Sequence, residues 1–225
     1  MKKTLSILAI FILVIACKNK GTTYNDPIPE HDSLTITSKY VNEDRVINIW
    51  TPPNYKTSTE SFPVLYMPDG GIKEDFPHIA NTLAKLLEEN KIPPFILVGI
   101  ENTERGRDLT GFSEAEDDKQ YCPIKDGARD FRAFITEELM PEINKRYRTQ
   151  TKRGIIGESL AELFVMETFF IKPETFDFYI AMDPSLWWNN NYLTNNADTL
   201  LTKLPEKDLK LWFAGSSVED ISQYT

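Results

Sequence analysis

Gly157-Glu158-Ser159-Leu160-Ala161 is the stretch whose residue types and spacing can do chemistry. It follows Arg153-Gly154-Ile155-Ile156, which suits a buried strand, and it opens a run with apolar residues at Leu160, Leu163, Phe164, Met166 and Phe169, which suits a helix. A Gly-x-Ser-x-(Gly/Ala) turn between strand and helix stands a serine hydroxyl clear of the sheet end, the arrangement used for nucleophilic attack on an acyl carbonyl. An ordinary serine at a helix N-cap is the alternative. A serine hydroxyl is a poor nucleophile at neutral pH unless a base lies within hydrogen-bond reach. The two histidines, His31 and His78, both precede the serine.

An oxyanion needs amide donors. The amide of Leu160, next after the serine, lies at a helix N-terminus, where negative charge is favoured. Met67-Pro68-Asp69-Gly70-Gly71 follows an apolar run, and Gly70 and Gly71 let backbone approach a ligand closely; a plain tight turn reads the same way. Arg105 and Arg107 lie after another apolar run, at the edge where α/β proteins bind ligands. They suit a clamp for a carboxylate or polar acyl group, or simple solvated charge. Trp187 and Trp188 suit an aromatic wall for an aryl or sugar substrate, or packing under a lid. The chain has no cysteine pair, no His-x-x-x-His and no acidic calcium loop, so no metal is expected, and no Gly-rich phosphate loop, so no cofactor is expected.

These residues need a scaffold, and its elements are visible. Leu34–Tyr40 and Arg45–Thr51 alternate apolar and polar side chains, as an antiparallel hairpin with one solvated face would. Pro63–Met67 and Phe95–Ile100 are continuous apolar runs that suit inner parallel strands. Ile79, Leu83, Leu86 and Leu87 mark a helix between them. Glu101 to Lys125 is polar and reads as a long loop. Ala128 to Arg148 is amphipathic, with Pro141 expected to kink or divide it. Phe178–Met182 and Leu209–Ala214 are further strands. The alternation predicts an α/β class with a mostly parallel central sheet flanked by helices.

The chain of 225 residues is 41% hydrophobic and 26% charged, enough for one α/β domain with its own core. Its first residues stand apart. Lys2-Lys3 precedes an apolar run, Leu5 to Ala16, too short to span a bilayer as a helix. Val14-Ile15-Ala16-Cys17 resembles a bacterial lipoprotein cleavage box, and an ordinary secretory signal or membrane anchor is the other reading. The resemblance implies a signal peptide over residues 1–16, lipidation of Cys17, a tether over residues 17–33 and a domain over residues 34–225. The expected location is the bacterial cell envelope, at the periplasm or outer membrane face, with membrane attachment through acyl chains. Cys122 is then the remaining thiol, so no intrachain disulfide is expected. The formal net charge of −9 disfavours nucleic acid as a partner.

Tyr66–Gly70, the segment Phe134–Ile143 with Tyr147-Arg148-Thr149, and Ile156–Ala161 together resemble the putative-esterase family of α/β-hydrolases, which includes esterase D-like, feruloyl-esterase-like and enterochelin-esterase-like enzymes. Asp183-Pro184-Ser185-Leu186-Trp187-Trp188 is similar to another stretch of it. The resemblance runs over roughly residues 34 to 220. It departs at Glu162, where relatives often carry glycine. It implies a serine hydrolase acting on a small-molecule, sugar or siderophore ester, through an acyl-enzyme on Ser159. It implies a chain order of serine, acid, histidine, with the acid in the loop after Leu209–Ala214: Asp220 first, then Glu219, with Asp183 third. The histidine of that order would fall beyond residue 225, and so would the last strand and last helix of the α/β-hydrolase fold. A binding protein that keeps the fold without catalysis is the reading from another class.

Overall fold

The computed structural model describes residues 26–183 and 185–215. Their strands form one seven-stranded sheet, built from β1 (Asp32–Ser38), β2 (Glu43–Trp50), β3 (Phe62–Met67), β4 (Ile96–Ile100), β5 (Thr149–Glu158), β6 (Phe178–Met182) and β7 (Lys210–Ala214) in the order β1-β2-β4-β3-β5-β6-β7. β1 and β2 form the expected hairpin, with Leu34 opposite Ile47, and β2 also pairs antiparallel with β4. The other pairings are parallel. The fold is the mostly parallel α/β sheet the sequence predicts.

Side-chain alternation sorts the strands onto two cores, because successive residues of a strand face opposite ways. Val64, Tyr66, Ile96, Val98, Ile100 and Ile155 join the larger core under α3 (Gly127–Phe134) and α5 (Leu160–Ile171). Leu65, Met67, Leu97 and Ile156 join Trp50 and Phe76 in a smaller core under α1 (Phe76–Glu88). The hairpin differs from expectation in one respect: β2 is buried from Ile47 to Trp50 on both faces, since it is flanked by β1 and β4 instead of lying at an edge.

Two other expectations are corrected. The polar stretch from Glu101 to Lys125 holds a short helix, α2 (Arg105–Leu109), and a 3-10 turn over Glu116–Gln120. Beside the buried Leu109 and Cys122, polar anchors hold it: Asp108 receives Arg45, the Ser113 hydroxyl donates to Asp118 at 2.6 Å, and Asp118 accepts the Asn189 amide at 2.8 Å. The amphipathic segment does not divide at Pro141: it stays helical from α3 through a π-helical turn at Ile135–Leu139 into α4 (Met140–Arg146), with helical dihedrals at both junctions, and Pro141 falls just after the π turn.

Candidate active site

Loops after β3, β4, β5 and β6 meet at one edge, the carboxyl end of the parallel strands. Ser159 stands there between β5 and α5, half-buried, with φ 57° and ψ −117°. A non-glycine residue in this region is strained, and such strain persists only where the surroundings hold it. Three contacts hold it here. The Ser159 amide donates to the Met182 carbonyl at 2.9 Å, and its own carbonyl accepts the Leu163 amide at 3.2 Å. Gly157 passes so close to the helix that a Cβ there would lie 2.5 Å from the Ala161 carbonyl oxygen. The backbone is that of a nucleophile elbow, not of an ordinary N-cap, whose residue takes extended dihedrals and caps with its side chain; Ser159 makes no side-chain cap bond. Leu160 is the first helical residue, so its amide has no intrahelical acceptor.

The turn after β3 is held from several sides. Asp69, at φ 57°, takes a bidentate pair from Arg105, Nε to Oδ1 at 2.7 Å and Nη2 to Oδ2 at 2.8 Å, and also accepts from Asn102. Arg105 thus braces the turn with the fork expected for a substrate. Burial lowers its pKa, and Asp69 more than offsets this, so the guanidinium stays charged. The Gly70 amide, expected as an oxyanion donor, is given to the Ile100 carbonyl at 2.8 Å. Gly70 is needed for packing: a Cβ there would lie 2.2 Å from Gly99 Cα. The Gly71 amide donates to the Glu74 carboxylate at 2.7 Å. An anion already sits on the amide that an oxyanion would use.

Around this edge carboxyl groups outnumber cations. Burial, then the charge of Asp75, raises the pKa of Glu158; burial, then Asp69, raises that of Asp75. Burial raises Glu74 as well. Asp183, at the tip of β6 with φ 60°, gives its amide to the Ala214 carbonyl at 2.7 Å.

The remaining candidates scatter. Arg107 donates to Asp108 at 2.7 Å and to Glu43 at 2.5 Å, in a network with the buried Arg45. Trp188 is buried and gives its indole N–H to the Gly111 carbonyl at 3.3 Å. Trp187 is half-buried, edge-on to Tyr121 at 5.0 Å. His78 Nδ1 lies 3.0 Å from Asp26, and His31 Nδ1 lies 2.8 Å from the Pro29 carbonyl, with its ring against Phe76. Cys122 is buried. Cys17, Glu219 and Asp220 lie outside the described residues. No helix among the described residues is long and apolar enough to cross a membrane.

Two acids on α5 are buried, Glu162, which the sequence marks only as a departure from the family pattern, and Glu167, which it does not mark. Glu162 is fully buried, and among the described residues neither carboxyl oxygen has a hydrogen-bond partner. Burial, then Asp183, pushes its pKa up to about 8. Glu167 is pushed up to about 7 by burial, opposed by Arg132 at 3.6 Å. With Arg132 it lines a cavity of about 530 Å³ walled by Phe112, Leu163, Phe170 and Trp188. Their signal was faint: two glutamates in a helix otherwise apolar on every side.

Elbow, braced turn and parallel sheet define an α/β-hydrolase type of protein. The family model described as "Putative esterase" matches residues 38–222, and the chain belongs to that family. It is 30% identical over 219 residues to the ferri-bacillibactin esterase BesA of Bacillus subtilis, covering 89% of this chain and 75% of that one. The apo-salmochelin esterase of Escherichia coli is 25% identical over 75% of this chain and 54% of its own length. Among solved structures, an IroE-like serine hydrolase from Shewanella oneidensis aligns with TM-score 0.73 and 30% identity, over 82% of this chain and 60% of that one. The BES protein from Bacillus cereus shares the fold, at TM-score 0.74 and 24% identity, over 89% of this chain and 82% of that one.

Proposed function

We propose that the protein is a serine ester hydrolase with Ser159 as nucleophile. The observation that carries this reading is the strained Ser159 backbone, held at the sheet edge with the free first amides of α5 beside it. The Ser159 Oγ adds to the ester carbonyl carbon as its proton passes to a base. The carbonyl oxygen becomes an oxyanion facing the Leu160 amide. Collapse expels the alcohol, which takes the proton. Water then releases the acid and restores the serine. The base is the histidine that the family resemblance places beyond residue 225, with Asp220 as its partner.

The substrate class we propose is a siderophore ester, since relatives named for bacillibactin and salmochelin match most of the chain. We also propose lipidation at Cys17, which would place the enzyme at the cell envelope. Palmitate label retained by the wild type and lost in Cys17→Ala tests that point. For catalysis, the full chain is treated with a fluorophosphonate probe beside Ser159→Ala. Labelling confined to the wild type, with turnover of a catecholate siderophore triester followed by mass spectrometry, is the expected result. A folded wild type that takes no label defeats the reading.

A further inference from the structure

Glu162 is the least comfortable residue in the molecule. Its side chain is 0% exposed, yet among the described residues both carboxyl oxygens lack a hydrogen-bond partner. An unpaired carboxylate in such a place is costly, and proteins meet that cost by keeping the group neutral. The sequence offers it a conventional role that the structure withholds. Ser159-Leu160-Ala161-Glu162 matches a capping box, in which the glutamate accepts from the cap residue's amide. That amide here goes to Met182, because the elbow turns Ser159 out of cap geometry. Glu162 is left one turn below the nucleophile on the same helix face.

Among the described residues the charged group that bears on it is Asp183, at the end of β6, and its negative charge opposes ionisation further. Asp183 follows Met182, whose carbonyl pins the Ser159 amide, so both acids sit on the frame of the elbow.

We propose that Glu162 is a positioning residue for the Ser159 site: as a neutral acid it leaves the first turn of α5 able to support negative charge, and its ionisation withdraws that support. This rests on the serine-hydrolase reading above. An added negative charge at Glu162, in the first turn of α5, opposes the oxyanion that the Leu160 amide faces. At neutral pH the acid is silent. Above its midpoint the protein loses reactivity without any change in the nucleophile or its base.

The test has two readouts on the full chain. The first is carbon NMR of protein labelled at the glutamate carboxyl carbons. One resonance is expected to titrate with a midpoint near 8, to vanish in Glu162→Gln and to move to lower pH in Asp183→Asn. The second variant keeps the glutamate, so it identifies the resonance even where Glu162→Gln does not fold. A Glu162 midpoint in the ordinary carboxylate range overturns the proposal. The second readout is the rate of fluorophosphonate labelling between pH 6 and 10. Glu162→Gln, or Glu162→Met if the first variant does not fold, is expected to match the wild type at pH 7 and to exceed it about tenfold at the alkaline end. Equal rates throughout overturn the proposal while leaving the nucleophile in place. A wild type unlabelled at every pH instead removes the hydrolase reading and this proposal with it.

Discussion

At the residue scale the informative side chains are acids in the wrong company. Glu167 is 8% exposed and held against Arg132 at 3.6 Å, but burial outweighs the guanidinium and pushes its pKa up to about 7. In the unfolded chain a glutamate releases its proton near 4.3. Between roughly pH 4.3 and 7 the folded state therefore binds more protons, and stability falls as pH rises through that window. The loss is on the order of 3 kcal/mol once the window is crossed. Glu167→Gln is expected to flatten the dependence of Tm on pH between 5 and 8, as read by thermal denaturation at each pH. Arg105 and Arg107 show what a sequence leaves open at this scale. Two residues apart in one polar run, they read alike. The fold gives one to the Asp69 turn and the other to Asp108 and Glu43. The strand-turn-helix at Ser159 was legible because its neighbours announce it: glycine before, a small residue after, strand and helix on either side. The burial of Glu162 was not, because nothing in a one-dimensional pattern tells that a helix is buried all round.

At the scale of elements, the parallel strands were plain in the sequence as continuous apolar runs, and the hairpin as an alternation. The connection from Glu101 to Lys125 was opaque for a physical reason. Periodicity reports apolar anchoring, whereas Asp108, Ser113 and Asp118 anchor this segment through hydrogen bonds. The β3 and β4 ends are legible only in three dimensions. Gly70 and Gly99 let two backbones meet, and a Cβ on Gly70 would fall 2.2 Å from Gly99 Cα. Gly70→Ala is expected to cost about 1–3 kcal/mol or more through forced separation of the strands. Urea unfolding should show a lower midpoint with little change in m. Asp69→Asn is gentler. It keeps the shape and removes the charge that Arg105 holds, so the turn carrying Gly71 loosens. Ser159 labelling is expected to fall several-fold while Tm changes by only a few degrees, measured on the same preparation.

At the scale of the molecule, the sheet is unevenly covered. β7 is flanked by β6 on one side, and Trp212 and Phe213, on opposite faces, are 55% and 60% exposed among the described residues. Exposed apolar strand edges invite pairing with other chains. Replacing Phe213 with Lys is expected to reduce concentration-dependent light scattering without loss of far-UV dichroism. β7 also bears on the site from a distance. The Ser159 amide hangs on Met182, and the next residue, Asp183, hangs on Ala214. The serine's pose is thus braced through two successive strands that are made after it. During synthesis, which runs from the N-terminus at about 5–20 residues per second, Ser159 leaves the ribosome before either strand that steadies it. On the proposed reading the nascent chain carries an idle hydroxyl at least until β7 has docked. A probe applied to stalled chains of increasing length should find Ser159 inert until residues through Ala214 have emerged.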